Sequence, residues 1–185
     1  MSNNYNSLIM NNKVLIDNLR SIPDFPKKGI NFRDVTTLFK NPACLQIMVD
    51  ELYEIYKNKG ITKIVGIESR GFVMASALAV KLGAGVVLAR KPGKLPAATV
   101  QESYAKEYGT DTIEIHEDAI NDKDIVLLHD DLLATGGTMK AACNLVKKFN
   151  PRGIYVNFLI EITDEGLHGR DVFDAETEVT TLMVV

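Results

Sequence analysis

The stretch that most constrains the fold of this chain is residues 125–142. Residues 125–128 form a short apolar run, Ile-Val-Leu-Leu, which is typical of a buried parallel strand. Two adjacent acids, Asp130 and Asp131, follow this run, and the small residues 134–138 then allow the backbone to turn tightly. Apolar residues recur at helical spacing after the glycines, so we expect a helix to begin there. Its N-terminus would offer free backbone N–H groups and the positive end of the helix dipole, which predicts an anion site.

The acid pair limits what this anion site can hold. Carboxylates repel a phosphate, so Asp130 and Asp131 must face hydroxyl groups or a cation instead. A ribose 5-phosphate, with a phosphate at one end and a diol at the other, satisfies both halves of the pattern. The alternative is an ordinary turn between a strand and a helix, with two solvated aspartates. The sequence contains neither Gly-x-x-x-x-Gly-Lys-Ser/Thr nor Gly-x-Gly-x-x-Gly, which argues against an ATPase and a dinucleotide-dependent dehydrogenase.

The composition places the chain in a broad class. With 185 residues, 46% of them hydrophobic and 24% charged, it suits one globular domain, residues 1–185. A net charge of −3 gives no reason to expect a nucleic acid or an anionic membrane as a partner. No apolar run approaches the ~20 residues that span a bilayer, and the N-terminus does not resemble a secretory signal. Cys44 and Cys143 are isolated in predicted helices and predict neither a disulfide framework nor a metal site. We therefore expect a cytoplasmic protein.

Other predicted strand ends carry further candidates for ligand binding. Alternating strands and helices between residues 43 and 160 predict an α/β fold with a mainly parallel, twisted sheet flanked by helices. The sequence Glu-Ser-Arg-Gly at 68–71 favours either a second anion site or a plain helix cap with a surface arginine. Three cations within 90–94 lie where another parallel strand ends, which favours anion binding over a solvated face. Residues 95–116, with 112–115 alternating like a solvated strand, predict a mobile β-hairpin lid.

The two ends of the chain are less regular than its middle. A proline-rich loop at 23–34 carries Phe25 and Phe32, which would either stack on a flat purine or pack on the core. The loop by itself does not decide between these two. After the glycine turn and its helix, residues 153–160 predict a strand, and 179–185 predict a last edge strand.

Residues 126–138 resemble the phosphoribosyl pyrophosphate (PRPP) signature of the type I phosphoribosyltransferases. The form Asp-Asp-Leu-Leu-Ala-Thr-Gly-Gly-Thr is typical of their adenine-specific branch. Four other stretches resemble the same family in the same order. Residues 22–34 resemble its purine-binding hood, 68–72 its pyrophosphate loop, 90–96 the basic turn before its flexible loop, and 103–109 the part of that loop that closes over the reaction centre.

This resemblance implies a fold, an activity and a cofactor. The implied fold is that of the type I phosphoribosyltransferases, with a small N-terminal hood at 1–34, a core at 35–185 and a flexible β-hairpin lid at about 95–116. The implied activity is a Mg²⁺-dependent glycosyltransferase (pentosyltransferase) reaction of purine salvage, in which PRPP and adenine give AMP and pyrophosphate. The Mg²⁺ would be bound through PRPP, without a direct protein ligand, and Asp130 and Asp131 would contact it at most through water. The implied assembly is a homodimer.

The resemblance also implies a role for each matching residue. The residues implied for catalysis are Glu107 and Arg70. Those implied for the ribose and the 5-phosphate of PRPP are Asp130, Asp131, Ala134, Thr135, Gly136, Gly137 and Thr138. Those implied for pyrophosphate are Ser69, Arg70, Arg90, Lys91, Lys94 and Tyr108. Those implied for adenine are Asn31, Phe32, Arg33 and Ile162, with Phe32 and Ile162 on the two faces of the ring.

Several alternatives stay open beside this reading. A PRPP-sensing regulator of the same fold would bind a nucleic acid, but it would need an appended basic domain, which the ~30 residues before the core do not resemble. A related transferase would use hypoxanthine or xanthine, although the hood stretch favours adenine. Glu107 could order the lid rather than move a proton. His116, His129 and His168 share no metal-ligand spacing, and we assign none of them to catalysis.

Overall fold

The computed structural model describes residues 13–105, 109–163 and 166–185. Along the chain its elements are α1 (Lys13–Asn18), β1 (Arg20–Ile22), β2 (Phe32–Asp34), α2 (Thr36–Phe39), α3 (Pro42–Tyr56), β3 (Lys63–Ile67), α4 (Gly71–Leu82), β4 (Gly85–Ala89), β5 (Thr99–Ala105), β6 (Thr110–His116), β7 (Ile125–Leu133), α5 (Gly137–Lys147), β8 (Gly153–Glu161), a 3-10 helix (Gly169–Val172) and β9 (Val179–Val184). The alternation of strands and helices confirms the predicted α/β class.

The central sheet has five parallel strands in the order β4–β3–β7–β8–β9. Its middle strand, β7, continues through the acid pair to Leu133, so the prediction that the strand stops at residue 128 is wrong. The reason is that β8 supplies backbone partners along this whole length, with Asp130 opposite Phe158 and Leu133 opposite Glu161. The acids are therefore held on a paired strand rather than in a turn.

Helices cover both faces of the sheet, as the sequence predicts. On one face, α3 and α4 bury Met48 and Leu78 in a core that also contains Leu127 of β7. On the other face, α5 buries Val146 against a core that contains Leu128. Successive residues of a strand point to opposite faces, so one apolar run can supply both cores. None of the helices in the described ranges combines the length and the apolar character needed to cross a bilayer.

The local sequence explains where these helices begin and end. The Asn41 side chain accepts hydrogen bonds from the backbone N–H groups of Ala43 and Cys44 at 3.0 and 3.4 Å, so it caps the start of α3. Gly83 ends α4 with φ at 71°, a left-handed conformation that glycine adopts easily. Both cysteines are buried free thiols.

The N-terminal segment forms a small antiparallel sheet of β1 and β2, apart from the central sheet. Phe25 and Phe32 pack edge to face with their ring centroids 5.2 Å apart, and Phe25 is 49% exposed. The two rings therefore contact each other at the surface instead of filling the core. Residues 1–12 of the expected hood lie outside the described residues, and the division into a hood at 1–34 and a core at 35–185 stays a prediction.

Strands β5 and β6 form the predicted hairpin, from Thr99 opposite His116 to Ala105 opposite Thr110. The prediction of a solvated strand at 112–115 is wrong, because residues 113–115 are all buried. The hairpin lies against α5, and its two isoleucines join the core on that face of the sheet. Its base is therefore anchored by apolar packing. Residues 106–108, which fall between the two strands in the sequence, lie outside the described residues.

Candidate active site

The carboxyl ends of β3, β4 and β7 meet at one edge of the sheet, where α/β proteins commonly bind ligands. A cavity of about 140 Å³ opens there, and it is lined by Ile67, Glu68, Ala89, Arg90, Lys91, Tyr104, Ile113, Asp130 and Thr138. Several of these lining residues are predicted site residues, namely Arg90, Lys91, Asp130 and Thr138. A larger recess of about 370 Å³ beside Lys63 and His116 contains none of the predicted site residues. The residues present, rather than the size of the cavity, therefore identify the candidate site.

Asp130 and Asp131 lie side by side on β7. Asp131 is 3% exposed, and the Asp130 Oδ1 atom accepts a hydrogen bond from the Asp131 backbone N–H at 2.9 Å. Burial, and then the neighbouring Asp131 carboxylate, raise the pKa of Asp130 well above its usual value. Burial also raises the pKa of Asp131, although the Arg70 guanidinium opposes that rise. The pair concentrates negative charge in a poorly solvated place, where a diol or a cation is a favourable partner.

Arg70 connects the acid pair to the N-terminal segment. Its Nε atom lies 2.6 Å from Asp131 Oδ2, and its guanidinium carbon lies 5.6 Å from the centroid of the Phe32 ring. The next residue, Gly71, lets α4 begin directly against β7, because a Cβ atom there would lie 2.8 Å from the carbonyl oxygen of His129. The Arg70 side chain thus contacts both Phe32, which is predicted to bind adenine, and Asp131, which is predicted to bind the ribose.

The basic turn after β4 meets carboxylates to which the sequence assigned no role. Arg90 donates from Nη2 and Nε to the two Glu68 carboxylate oxygens at 3.1 and 3.2 Å, and the Lys91 backbone N–H donates to the same carboxylate at 2.9 Å. The Arg90 hydrogen bond is the main cause of a lowered pKa at Glu68. The Lys91 ammonium forms an ion pair with Asp111 of β6. Both cations are held at the cavity by carboxylates, which a bound pyrophosphate would replace as partners.

Glu68 and Asp111 differ in whether the sequence could have predicted them as site residues. Glu68 directly follows β3, so its place at a carboxyl strand end could have marked it as a site residue. Asp111 belongs to no motif, and it reaches Lys91 because the hairpin register sets it opposite Tyr104 near the cavity. Pairing between distant segments, rather than local spacing, creates this contact.

The predicted phosphate loop, residues 134–138, forms the glycine turn and helix start that the sequence indicates. Gly136 has φ at 77°, and α5 begins at the next residue, Gly137. Apart from its chain neighbours and the adjoining helix backbone, no atom of the described residues lies within 4 Å of a Cβ built on Gly137, so the helix start is open on that side. The Tyr104 hydroxyl and Thr138 Oγ1 are hydrogen-bonded at 2.9 Å, which joins the hairpin to the first turn of α5. The loop at 134–136 can thus present backbone N–H groups to an anion beneath the hairpin.

The remaining predicted residues are less closely gathered. The Ile162 backbone N–H donates to the Leu133 carbonyl at 2.9 Å, which places Ile162 beside the end of β7. The Arg33 side chain donates to the Ser21 hydroxyl of β1. Predicted residues that are exposed at the surface are Asn31, Ser69, Lys94 and Thr135. Predicted residues that lie outside the described ones are Glu107 and Tyr108.

A buried polar row runs beneath the site, across three strands. His129, Asn157 and Thr180 are neighbours in the strand register. His129 Nδ1 lies 2.7 Å from Asn157 Oδ1, and Asn157 Nδ2 donates to Thr180 Oγ1 and the Thr180 carbonyl at 2.9 and 3.3 Å. Because a carbonyl can only accept, the amide NH₂ must face Thr180, and His129 must carry its proton on Nδ1.

The same row ends on α3, and burial keeps His129 uncharged. The Tyr56 hydroxyl is hydrogen-bonded to Thr180 Oγ1. Burial lowers the pKa of His129 to about 4, so its ring is neutral near pH 7. His129 is therefore a neutral, hydrogen-bonding residue of the interior.

Comparison with known proteins places this geometry in a family. A family model described as phosphoribosyl transferase domain matches residues 34–171. A relative from Phocaeicola vulgatus, named adenine phosphoribosyltransferase, is 62% identical over 176 residues, which are 95% of this chain and 100% of the relative. The chain belongs to the adenine phosphoribosyltransferase family. The family match includes the acid pair, the phosphate loop and the basic turn, and it confirms the resemblance read from the sequence.

Solved structures of this family agree with the fold. The crystal structure of adenine phosphoribosyltransferase from Rhodothermus marinus has a TM-score of 0.87 at 46% identity, and the similarity covers 94% of this chain and 97% of that one. The enzyme from Giardia lamblia, solved in complex with 9-deazaadenine, has a TM-score of 0.87 at 40% identity over 95% and 98% of the two chains. The predicted type I phosphoribosyltransferase fold is therefore confirmed.

Proposed function

We propose that this chain transfers the 5-phosphoribosyl group of PRPP to adenine, giving AMP and pyrophosphate. The observation that carries the proposal is the end of β7, where a half-buried acid, Asp130, and a buried acid, Asp131, are followed five residues later by an open helix N-terminus. The acids suit the 2- and 3-hydroxyls of a ribose, and the helix N-terminus suits its 5-phosphate. The relatives named adenine phosphoribosyltransferase support adenine as the acceptor.

The cations around the cavity are suited to the leaving group. Breaking the bond between the sugar C1 and pyrophosphate leaves positive charge on the sugar and negative charge on the departing phosphates. Arg70, Arg90 and Lys91 lie at this edge of the sheet, and each has a carboxylate partner that a pyrophosphate could replace. Fixed cations that meet developing negative charge lower the barrier, because they need little reorganisation during the reaction.

The N-terminal segment is the part that we assign to the base. Phe32 and Ile162 would lie on the two faces of adenine, and backbone groups of Asn31 and Arg33 would read its edge. Backbone hydrogen bonds of this kind discriminate adenine, which carries an amino group, from an oxopurine, which carries a carbonyl. The wrong base would leave a donor or an acceptor unpaired. The Giardia lamblia relative was solved with 9-deazaadenine, which supports a purine site of this kind.

Magnesium is the cofactor that we propose. In the described residues, no group of three or more His, Cys, Asp or Glu side chains could hold a metal ion. Asp130 and Asp131 still offer hard oxygen ligands in a place where burial makes their charge unfavourable. They fit an ion that is held mainly by oxygens of PRPP and by water, as Mg²⁺ commonly is. When bound, Mg²⁺ would supply further positive charge beside the departing pyrophosphate.

The hairpin would complete the site. Near its connecting end, the hairpin already contacts α5 through the hydrogen bond between Tyr104 and Thr138. A tip closed over the cavity would keep water from the cationic sugar, which would otherwise be hydrolysed. Glu107, which lies in that tip and outside the described residues, is the residue that we propose to exchange a proton with the adenine ring.

We also propose a homodimer that resides in the cytoplasm. Val73 and Val80 on α4, and Val86 and Leu88 on the edge strand β4, are all at least 39% exposed. A second copy of the chain could cover these apolar residues and the unpaired side of β4. The two buried free thiols fit a reducing compartment.

The experiment that tests the function offers the protein one base at a time. Pyrophosphate release from PRPP with Mg²⁺ would be measured with adenine, hypoxanthine, guanine, xanthine or orotate. We expect release with adenine alone. Release with an oxopurine would leave the transfer chemistry in place but contradict the assignment of the hood. PRPP binding without release on any base would favour the PRPP-sensing regulator instead.

A further inference from the structure

The phosphate loop lies against a segment from the far end of the chain. This segment is the 3-10 helix Gly169–Val172, which we call the back wall. A Cβ atom on Gly136 would lie 2.5 Å from the Gly169 carbonyl oxygen and 2.7 Å from Val172 Cγ2. A Cβ atom on Gly169 would in turn overlap the Ala134 carbonyl oxygen and lie 2.7 Å from Leu133 Cδ1. The two backbones are therefore in direct contact, and a side chain at either glycine would push them apart.

Arg170 fixes the back wall to the central sheet. Its Nε atom donates to both Glu161 carboxylate oxygens at 2.7 and 2.8 Å. Its Nη1 atom donates to the Val179 carbonyl at 2.8 Å, and its Nη2 atom to the Thr181 hydroxyl at 3.1 Å. A guanidinium that donates to four acceptors at once has little freedom to move, so the back wall is fixed to the end of β8 and the first residues of β9.

This arrangement limits the movement of the phosphate loop. The loop is the part of the candidate site that presents backbone N–H groups, and hydrogen bonds to a phosphate weaken over a few tenths of an ångström. A loop with water behind it could retreat from the phosphate, whereas the carbonyl oxygen and valine of the back wall stand where it would have to move. Arg170 touches no predicted substrate atom, so any effect it has must pass through Gly169 and the loop.

We propose that the back wall is a positioning element for the 5-phosphate of PRPP, with Gly169 setting its contact with the loop and Arg170 holding it in place. The inference rests on the proposed function, because it takes the 5-phosphate as the ligand of the loop. It adds residues that belong to none of the motifs by which the sequence resembles its family. The contact makes the affinity for PRPP, rather than that for adenine, depend on residues 169–172.

The first test is Gly169→Ala, with Gly153→Ala as the matched control. Gly153 begins β8, and a Cβ atom there would make only an ordinary contact, 3.6 Å from Ile125 Cγ2. We expect Gly169→Ala to raise the KM for PRPP about tenfold or more and to leave the KM for adenine within about twofold. The inhibition constant of ribose 5-phosphate should rise with the KM for PRPP. The control should match the wild type in all three constants.

A second variant keeps the proposal testable if Gly169→Ala does not fold. Arg170→Met keeps the length of the side chain but removes the four acceptor contacts, and it should raise the same two PRPP-dependent constants about threefold or more. Arg170→Lys should give a smaller increase in these constants than Arg170→Met, because lysine keeps the positive charge but lacks the several fixed N–H donors of the guanidinium. A folded Gly169→Ala or Arg170→Met variant with unchanged PRPP constants, or with equal losses for PRPP and adenine, would overturn the proposal.

A failure of the back-wall proposal can be distinguished from a failure of the proposed enzymatic function. PRPP binding by calorimetry needs no turnover, so the variants can be compared even if the wild type forms no AMP. A wild type that binds PRPP without forming AMP would contradict only the proposed function. An active wild type whose back-wall variants bind PRPP normally would contradict only the positioning role.

Discussion

Replacing Asn157 by leucine tests the buried polar row beneath the candidate site. Asn157 lies between His129 and Thr180 and is hydrogen-bonded to both. Leucine has the same branching as asparagine at Cγ, although it is larger, and it offers neither a donor nor an acceptor. The substitution would leave the proton on His129 Nδ1 without its acceptor in a place that is 0% exposed, while Thr180 Oγ1 would keep its bond to Tyr56.

The expected loss follows from these contacts. An orphaned buried donor costs about 1–3 kcal/mol, and each lost neutral hydrogen bond contributes about 1 kcal/mol. Since the added apolar surface of leucine offsets part of this, we expect Asn157→Leu to lower the free energy of unfolding by about 2–4 kcal/mol. Adding His129→Leu removes the orphaned donor, so the double variant should recover about 1–3 kcal/mol of that loss.

Urea denaturation measures both numbers. With a denaturant slope of about 2 kcal/mol/M, the single variant should unfold at a urea concentration about 1–2 M lower than the wild type. His129→Leu alone completes the cycle, because it leaves the Asn157 oxygen without its donor. If the two single losses simply add in the double variant, the two side chains do not act as a pair. The reasoning about the polar row would then be refuted.

Other predictions concern charge at the site and at the N-terminal segment. Asp130→Asn together with Asp131→Asn should abolish PRPP binding, measured by calorimetry, with an unchanged circular dichroism spectrum; retained binding would contradict the ribose assignment. Because folding raises the pKa of Asp130, its charge costs stability at neutral pH, so Asp130→Asn should raise the unfolding midpoint at pH 7, with the gain lost below about pH 4. Hydrogen bonds, chiefly from Thr36, lower the pKa of Asp34 to about 2, so Asp34→Asn should destabilise the fold at pH 7, and the difference should shrink as the pH falls from about 4 to about 2. Glu107→Ala should lower kcat more than PRPP affinity, and the opposite pattern would make Glu107 a binding residue. A chelator should stop turnover until Mg²⁺ is restored, and turnover that persists would contradict the proposed cofactor.

Much of the site could be predicted because its chemistry is local in the sequence. The acid pair, the glycine turn and the start of α5 follow one another within residues 130–138, and a strand that leads into a helix can arrange them in few ways. The basic turn at 90–94 was found for the same reason, since the end of a parallel strand is visible as a boundary in the apolar pattern. The family resemblance depends on the same short stretches.

The predictions from sequence are wrong at two places where contacts with a distant segment of the chain decide the structure. The sequence predicts that a strand stops before the acids, but β8 continues the ladder to Leu133. It predicts a solvated strand at 112–115, but α5 covers that strand and buries Ile113 and Ile115. The alternation of apolar and polar residues along a strand does not show which other element will pack against that strand.

The sequence alone determined the family, the order of strands and helices, and the residues of the PRPP signature, because each depends on residue types at short spacing. The tertiary structure decided which groups meet across long separations. It joined Arg70 to both Phe32 and Asp131, gave Lys91 its partner Asp111, and set the back wall against the phosphate loop. These contacts depend on strand register and on close backbone packing, which are properties of the whole fold and leave no local pattern in the chain.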